Sequence, residues 1–360
     1  MRILHIISSL EIGGAQKLVH DLALSQKSSG NEVSVLVYFN CDSIFEKELR
    51  ISGVNIISLN CTNLKSLNIP FKMHHILQQY DVAHVHLFPA LYQAALASLW
   101  TKTPLVYTEH STYNRRRAKK FLRPLEQIVY GRYSKIISIS EQTQEALFNW
   151  LKPRATSKFQ TIYNGVDLGK YRKAEAKNPK DIFGRAGIPI LMVSRFVPAK
   201  DQATLIKSLK FIEDTDIFVA FAGDGELIQD AKKLAEEAGV AERCVFLGSR
   251  NDIPELIKSS AIGVQSSHWE GFGLTAVEFM AAGKPVIASS VDGLKQVVEG
   301  AGILFNSGDE QQLAKNITQL TTDNILYSDI SAKCLNRALK YSLESTAKQY
   351  YKAYSSVVRL

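Results

Sequence analysis

No stretch of this chain approaches the about 18 consecutive apolar residues that a membrane-spanning helix needs, although 46% of its 360 residues are hydrophobic. A soluble globular protein is expected. Arg2 and the apolar stretch Ile3 to Leu10 look superficially like the start of a signal peptide. The stretch is short, is broken by His5 and two serines, and runs into Glu11-Ile12-Gly13-Gly14 with no small-residue cleavage site, so a first buried strand is the better expectation. Cysteine is scarce. Cys41, Cys61, Cys244 and Cys334 are scattered without metal-ligand spacing, and free thiols in a reducing cytoplasm are expected. Repeats and low-complexity tracts are missing. So is a full G-x-G-x-x-G dinucleotide fingerprint. The one D-x-D doublet, Asp214-Thr215-Asp216, precedes the apolar run Ile217–Ala222. That is the amino end of a strand, away from any ligand crevice, and it reads as a solvated turn. No other carboxylate cluster demands Mg²⁺ or Mn²⁺, and no metal is expected.

What is present is an alternation of short apolar runs with helical patterns. Ile3–Ile7, Glu32–Tyr38, Asn55–Leu59, Val82–His86, Leu105–Thr108 and Lys135–Ile139 read as strands, with helices such as Ala15–Ser25 and Pro89–Trp100 between them. A second series starts at Ile190–Val193 and continues through Ile217–Ala222, Cys244–Leu247, Ala261–Val264 and Pro285–Ala288. Such alternation predicts α/β architecture with parallel, doubly wound sheets. The length suits two domains. They are expected at 1–167 and 190–340, joined by a linker at 168–189 and followed by a C-terminal helix at 341–360. In open parallel sheets ligands bind at the carboxyl ends of strands, so motifs there carry the most weight.

The most informative segment runs from Ser266 through Ser267-His268-Trp269-Glu270-Gly271-Phe272-Gly273-Leu274 to Glu278. A Gly-Phe-Gly turn feeds a helix expected over Leu274 to Ala282. A glycine turn at a helix N-terminus favours anions through unpaired N–H groups and the helix dipole. Glu270 is expected in the loop and Glu278 about two turns into the helix. This segment, with matching pieces in order from Met1 almost to the C-terminus, resembles the retaining GT-B glycosyltransferases of family four, which use nucleotide sugars. The resemblance implies two Rossmann-like domains facing across a cleft, with the final helix crossing back to the N-terminal domain.

Several assignments follow from that resemblance. Arg195 and Lys200, in Ser194-Arg195-Phe196-Val197-Pro198-Ala199-Lys200-Asp201, match the pair that grips the diphosphate. A fixed guanidinium and ammonium would stabilise a leaving diphosphate without a metal. His110, at the end of Leu105–Thr108, matches a histidine that contacts the donor sugar; Ser111 stands where Asp is common. Glu278 is expected on the ribose hydroxyls and Glu270 near the reacting centre, with backbone N–H groups from Phe272, Gly273 and Leu274. Ser249–Ile253, with Arg250, falls beside the nucleobase. Gly13 and Gly14 read as a turn touching donor phosphate or sugar, or as a plain strand–helix turn. The other histidines (His5, His20, His74, His75, His84, His86, His268) read as structural or surface groups, with His86 nearest to an exception because it closes a strand.

The net charge of +8 is uneven. Residues 1–165 hold 19 basic and 11 acidic side chains, and the remainder holds 24 of each. Much of the excess is Arg115, Arg116, Arg117, Lys119, Lys120 and Arg123. This segment suits an anionic membrane surface, a lipid-phosphate acceptor or an anionic glycan, or it is the solvated face of a helix. Nucleic acid is not expected, since no stacking platform accompanies the charge. The expected function is transfer of a sugar from a UDP- or GDP-type nucleotide sugar to a glycan or lipid-linked hydroxyl. The expected setting is the cytoplasm, with peripheral contact to the inner face of the plasma membrane. The rivals are a GT-B epimerase or phosphorylase and a non-catalytic nucleotide-sugar-binding partner.

Overall fold

The computed structural model describes residues 1–358 except 62, 65, 67 and 113, and leaves the side chain of Arg115 undescribed. The chain divides into two compact units, Met1–Gly165 with Leu343–Leu360, and Val166–Ser342.

The first unit holds strands β1 (Arg2–Ile6), β2 (Glu32–Val37), β3 (Asn55–Ser58), β4 (Val82–His86), β5 (Leu105–Glu109), β6 (Lys135–Ser138) and β7 (Phe159–Thr161). They form one sheet in the order β3-β2-β1-β4-β5-β6-β7, and all its pairings are parallel. The central strands are buried on both faces because helices cover both. One face carries Ile3, Val82, Val106 and Ile137, packed against Leu18 and Leu22 and against Tyr350, Ala353 and Tyr354 of the helix Leu343–Ser355. The other face packs Leu4, Ala83, Val85 and Tyr107 against the helices Asn68–Leu77 and Ala90–Ala97. Helix starts are fixed locally: Ser43 accepts from the amide of Glu46, and Ser140 from that of Thr143.

The second unit repeats the plan with β8 (Ile188–Val193), β9 (Ile217–Ala222), β10 (Cys244–Gly248), β11 (Ile262–Gln265), β12 (Val286–Ser289) and β13 (Ile303–Phe305). Its sheet is parallel, in the order β10-β9-β8-β11-β12-β13. The strand order reverses between β1 and β4 in one unit and between β8 and β11 in the other. Each reversal opens a crevice beyond the carboxyl ends of the two strands.

The edge strands β7 and β13 were not among the expected strands, because three residues are too few to show a pattern. β8 begins two residues earlier than Ile190 and takes in Pro189. The Pro189 carbonyl accepts from the amide of Ala261 (2.9 Å), whereas β11 pairs with β8 only from Ile190 onward. The missing N–H of Pro189 therefore falls beyond the end of the ladder, which lets a central strand hold proline. The stretch expected as a linker carries two short helices, Leu168–Lys173 and Pro179–Phe183, with Tyr171, Ile182 and Phe183 buried.

Candidate active site

In the second unit the loops that follow β8 and β11 are sewn together. The Ser266 hydroxyl donates to the Asp201 carbonyl (2.7 Å), and the His268 amide to the Ala199 carbonyl (2.9 Å). The Gln202 amide group donates to the Ser194 hydroxyl (3.0 Å) and the Arg195 carbonyl (2.9 Å), holding the Arg195 turn. Gly223 and Gly225 back this turn: an added Cβ would lie 2.0 Å from the Ser194 carbonyl oxygen and 2.4 Å from that of Phe196. Only glycine allows β9's loop to lie so close. Gly293, at φ +86, supports the other loop in the same way, with an added Cβ 2.4 Å from the Glu270 carbonyl oxygen.

This stitching brings Lys200 and Glu270 into direct contact. The ammonium donates to Glu270 Oε2, while Oε1 accepts from the Gly271 amide (3.1 Å). Both side chains are about one-fifth exposed. Arg195 is exposed, with no side-chain partner among the described residues. Gly273 (φ 85) starts the helix Leu274–Ala281, and an added Cβ there would meet Leu294 at 2.6 Å. Phe272 is buried, edge-on to Tyr341 at 5.2 Å. Glu278 is buried at 5% exposure and lies just over one turn into the helix rather than two. Around one crevice, then, stand a free guanidinium, an ammonium shared with a carboxylate, and a helix N-terminus. Arg250 instead forms a two-point pair with Asp252 (2.7 and 2.5 Å), which holds the Asp252 carboxyl below its ordinary range. Asp214-Thr215-Asp216 precedes β9 at its amino end, its Asp214 carboxylate capping the amide of Asp216.

In the first unit Gly13 caps the helix Gly14–Ser28 with extended backbone (φ −176). A Cβ at Gly13 would meet only the mobile end of Gln16, so no backbone requirement explains this glycine. His110 follows β5 and is partly buried. Its Nε2 lies 3.1 Å from His86 Nδ1, and His86 Nε2 lies 3.2 Å from His5 Nδ1. Burial pushes His110 down to about 3 and His5 to about 4, and pushes His84 and His86 well below the usual histidine range. All four rings are neutral at pH 7.

Two family models match. The one described as glycosyl transferases group 1 covers residues 174–337, and the one described as glycosyltransferase family 4 covers residues 12–170. The chain belongs to this glycosyltransferase family. Among similar proteins is the UDP-Gal:alpha-D-GlcNAc-diphosphoundecaprenol alpha-1,3-galactosyltransferase of Escherichia coli, 26% identical over 81% of this chain and 80% of its own length. A phosphatidyl-myo-inositol mannosyltransferase of Mycolicibacterium smegmatis is 25% identical over 96% and 90%. The solved structure of Anabaena HepE with UDP matches with a TM-score of 0.86 at 25% identity, covering 99% of this chain and all of that one. The GT-B architecture expected from sequence is the one shared with this solved structure.

Two features of this glycosyltransferase escaped the sequence. The first is the use of its basic run. Arg116 is not solvated: it donates to the fully buried Glu126 (2.9 Å) and lies over the ring of Phe88 at 4.5 Å. Arg117 donates to the buried Glu109 (2.7 Å) and to the Thr112 carbonyl. Arg123 lies over Trp150 at 5.3 Å. Lys119 and Lys120 remain exposed, and the Arg115 side chain lies outside the described residues. The second is the histidine group around His5, His84 and His86, read from sequence as structural or surface. Its signal was His-x-His in a strand, which puts His84 and His86 on one face; register then sets His5 opposite His84.

Proposed function

We propose that this glycosyltransferase moves a sugar from a nucleotide diphosphate sugar to a hydroxyl of a glycan or lipid-linked acceptor, with retention, in surface polysaccharide or glycolipid synthesis. The observation that carries the reading is the joining of the Arg195–Lys200 turn to the Glu270–Leu274 turn by Ser266, His268 and the Lys200–Glu270 pair. Cationic groups and a helix N-terminus at one crevice suit a diphosphate. Arg195 and Lys200 stabilise the leaving diphosphate, which gains charge in the transition state. In a front-face displacement its oxygen takes the acceptor's proton as the sugar carbon bonds to the acceptor oxygen, so no protein nucleophile is required. Glu278 takes the ribose hydroxyls, and His110 a hydroxyl of the donor sugar. Charge neutralisation by Arg195 and Lys200 is metal-independent chemistry.

A UDP-type donor is favoured over a GDP-type one by the donor named for the Escherichia coli relative and by the nucleotide in the Anabaena structure. Lipid-linked or lipid acceptors are favoured by the names of both relatives. Peripheral contact with an anionic cytoplasmic membrane face is supported by Phe121 (76% exposed), Leu125 and Ile128 (68%), which project beside Lys119 and Lys120. The deciding experiment is thermal stabilisation by UDP-, GDP-, ADP- and dTDP-sugars, with and without EDTA. A shift with UDP-sugars that EDTA leaves unchanged is expected. No shift with any of them overturns the donor assignment, and a shift abolished by EDTA overturns the metal-free one.

A further inference from the structure

The four neutral histidines of the first unit belong to one continuous line of hydrogen-bonding groups. His110 Nε2 meets His86 Nδ1 (3.1 Å), His86 Nε2 meets His5 Nδ1 (3.2 Å), and His5 Nε2 meets Gln26 Oε1 (2.8 Å). Gln26 Nε2 meets the Tyr354 hydroxyl (3.5 Å), which meets His84 Nδ1 (2.6 Å); His84 Nε2 meets Thr108 Oγ1 (2.7 Å), and that oxygen meets the Tyr350 hydroxyl (3.3 Å). All members except His110 are fully or almost fully buried. The line therefore joins the helix Leu343–Ser355 to the residue that follows β5.

Each neutral imidazole has one N–H and one bare nitrogen. Fixing the direction of the bond between Tyr354 and His84 thus fixes every bond from there to His110. Tyr354 supplies the direction. A phenol is a stronger acid than a neutral imidazole N–H, so at 2.6 Å the hydroxyl donates to His84 Nδ1. Its remaining lone pairs then face Gln26, which must present its NH₂ to Tyr354 and its carbonyl to His5. His5 accordingly carries its proton on Nε2 and accepts at Nδ1 from His86 Nε2–H. His86 in turn accepts at Nδ1 from His110 Nε2–H. No protein partner of His110 Nδ1 is found among the described residues.

We propose that this polarised chain fixes His110 as the Nε2–H tautomer, so that Nδ1 is presented as a hydrogen-bond acceptor for a ligand hydroxyl. The ligand part of the statement rests on the donor-sugar contact given to His110 above; the tautomer part does not. His5, His86, Gln26 and Tyr354 are positioning residues. His5, His84 and His86 also offer nitrogens within 4.8 Å of one another, as a metal site would. All six of their ring nitrogens, however, already have protein partners, and the hydrogen-bonded arrangement accounts for all of them.

The test is long-range proton–nitrogen correlation of the full chain labelled with ¹⁵N-histidine, at pH 7.5 and without ligand, with His110 assigned from the spectrum of His110→Asn. The expected pattern has His110 protonated at Nε2 and bare at Nδ1. Tyr354→Phe keeps the ring and loses the hydroxyl, so the pattern should relax toward a mixture of tautomers. Gln26→Met should do the same and guards against a folding defect peculiar to Tyr354→Phe. A proton on Nδ1 of wild-type His110, or an unaltered pattern in both folded variants, overturns the proposal. So does a joint shift of His5, His84 and His86 on adding Zn²⁺ or EDTA. Adding UDP-glucose and UDP-galactose then separates the two claims. Movement of the Nδ1 resonance supports both. An Nε2–H pattern that neither sugar nucleotide moves supports the tautomer and overturns the donor-sugar contact.

Discussion

Acid should loosen the first unit selectively. Seven of the eight histidines lie in it, and four of them form the buried line; the second unit has only His268, whose side chain is 45% exposed. Burial lowers the folded-state value of His5 from 6.5 to about 4. Between those values the unfolded chain binds a proton that the folded chain refuses, so stability is complete above about 6.5 and is lost as pH falls toward 4. For His5 alone the loss at pH 5 is about 2 kcal/mol. His110, lowered to about 3, is displaced in the same direction; because its ring shares hydrogen bonds with its neighbours, the contributions do not simply add. Hydrogen exchange read by mass spectrometry on peptides from β1, β4 and β5, corrected for intrinsic pH dependence, should show protection falling by about thirtyfold from pH 7.5 to 5. Peptides from β8, β9 and β11 in the same sample should change little. Equal loss of protection in both sets would refute the argument.

Three further outcomes are expected. Glu270→Gln should bind UDP about threefold to fivefold more tightly by titration calorimetry, because the diphosphate no longer competes with a carboxylate for Lys200, and should turn over more slowly; weaker UDP binding would show that Glu270 does not compete. Gly293→Ala should cost about 2 kcal/mol or more in thermal unfolding and weaken UDP binding, because its Cβ displaces the Glu270 backbone. Gly308→Ala, also at positive φ but with nothing within 4 Å, is the control and should leave binding intact. Phe121→Ser with Ile128→Ser should reduce sedimentation with anionic phosphatidylglycerol vesicles, and doubling the salt should reduce it further in wild type; unchanged sedimentation in the double variant would remove those residues from any membrane contact.

What the sequence made legible follows from the range of the interactions concerned. Runs such as Val82–His86 and Ile217–Ala222 announce buried strands because parallel strands are apolar on both faces. The Gly-Phe-Gly turn and its helix are local, and both were readable. The partners that neutralise the basic run were not: Arg117 meets Glu109 across eight residues of sequence and Arg116 meets Glu126 across ten, through folding of the loop after β5. A charged run looks solvated until the carboxylates that bury it are located. The histidine line was less legible still, since Gln26 and Tyr354 lie 328 residues apart and only the strand order of the sheet brings His5 beside His84. Glu278 was readable as a helical carboxylate, but its near-complete burial was not, because burial depends on neighbours from other elements.

The first unit is built from two ends of the chain, with the whole second unit threaded between them. During synthesis the ribosome therefore releases everything needed for the six-stranded sheet before it releases Tyr350 and Tyr354. Until the last helix emerges, Ile3, Leu18, Leu22 and Val82 have one side of their packing missing, and His84 Nδ1 has no hydroxyl to meet. The second unit can finish first, although its strands are encoded later, while the nascent first unit waits with an open apolar face of the kind chaperones hold. A chain cut at Ser342 would retain every side chain assigned to the sugar nucleotide and still strip His84 of the two tyrosine rings it packs against and of the hydroxyl that meets its Nδ1.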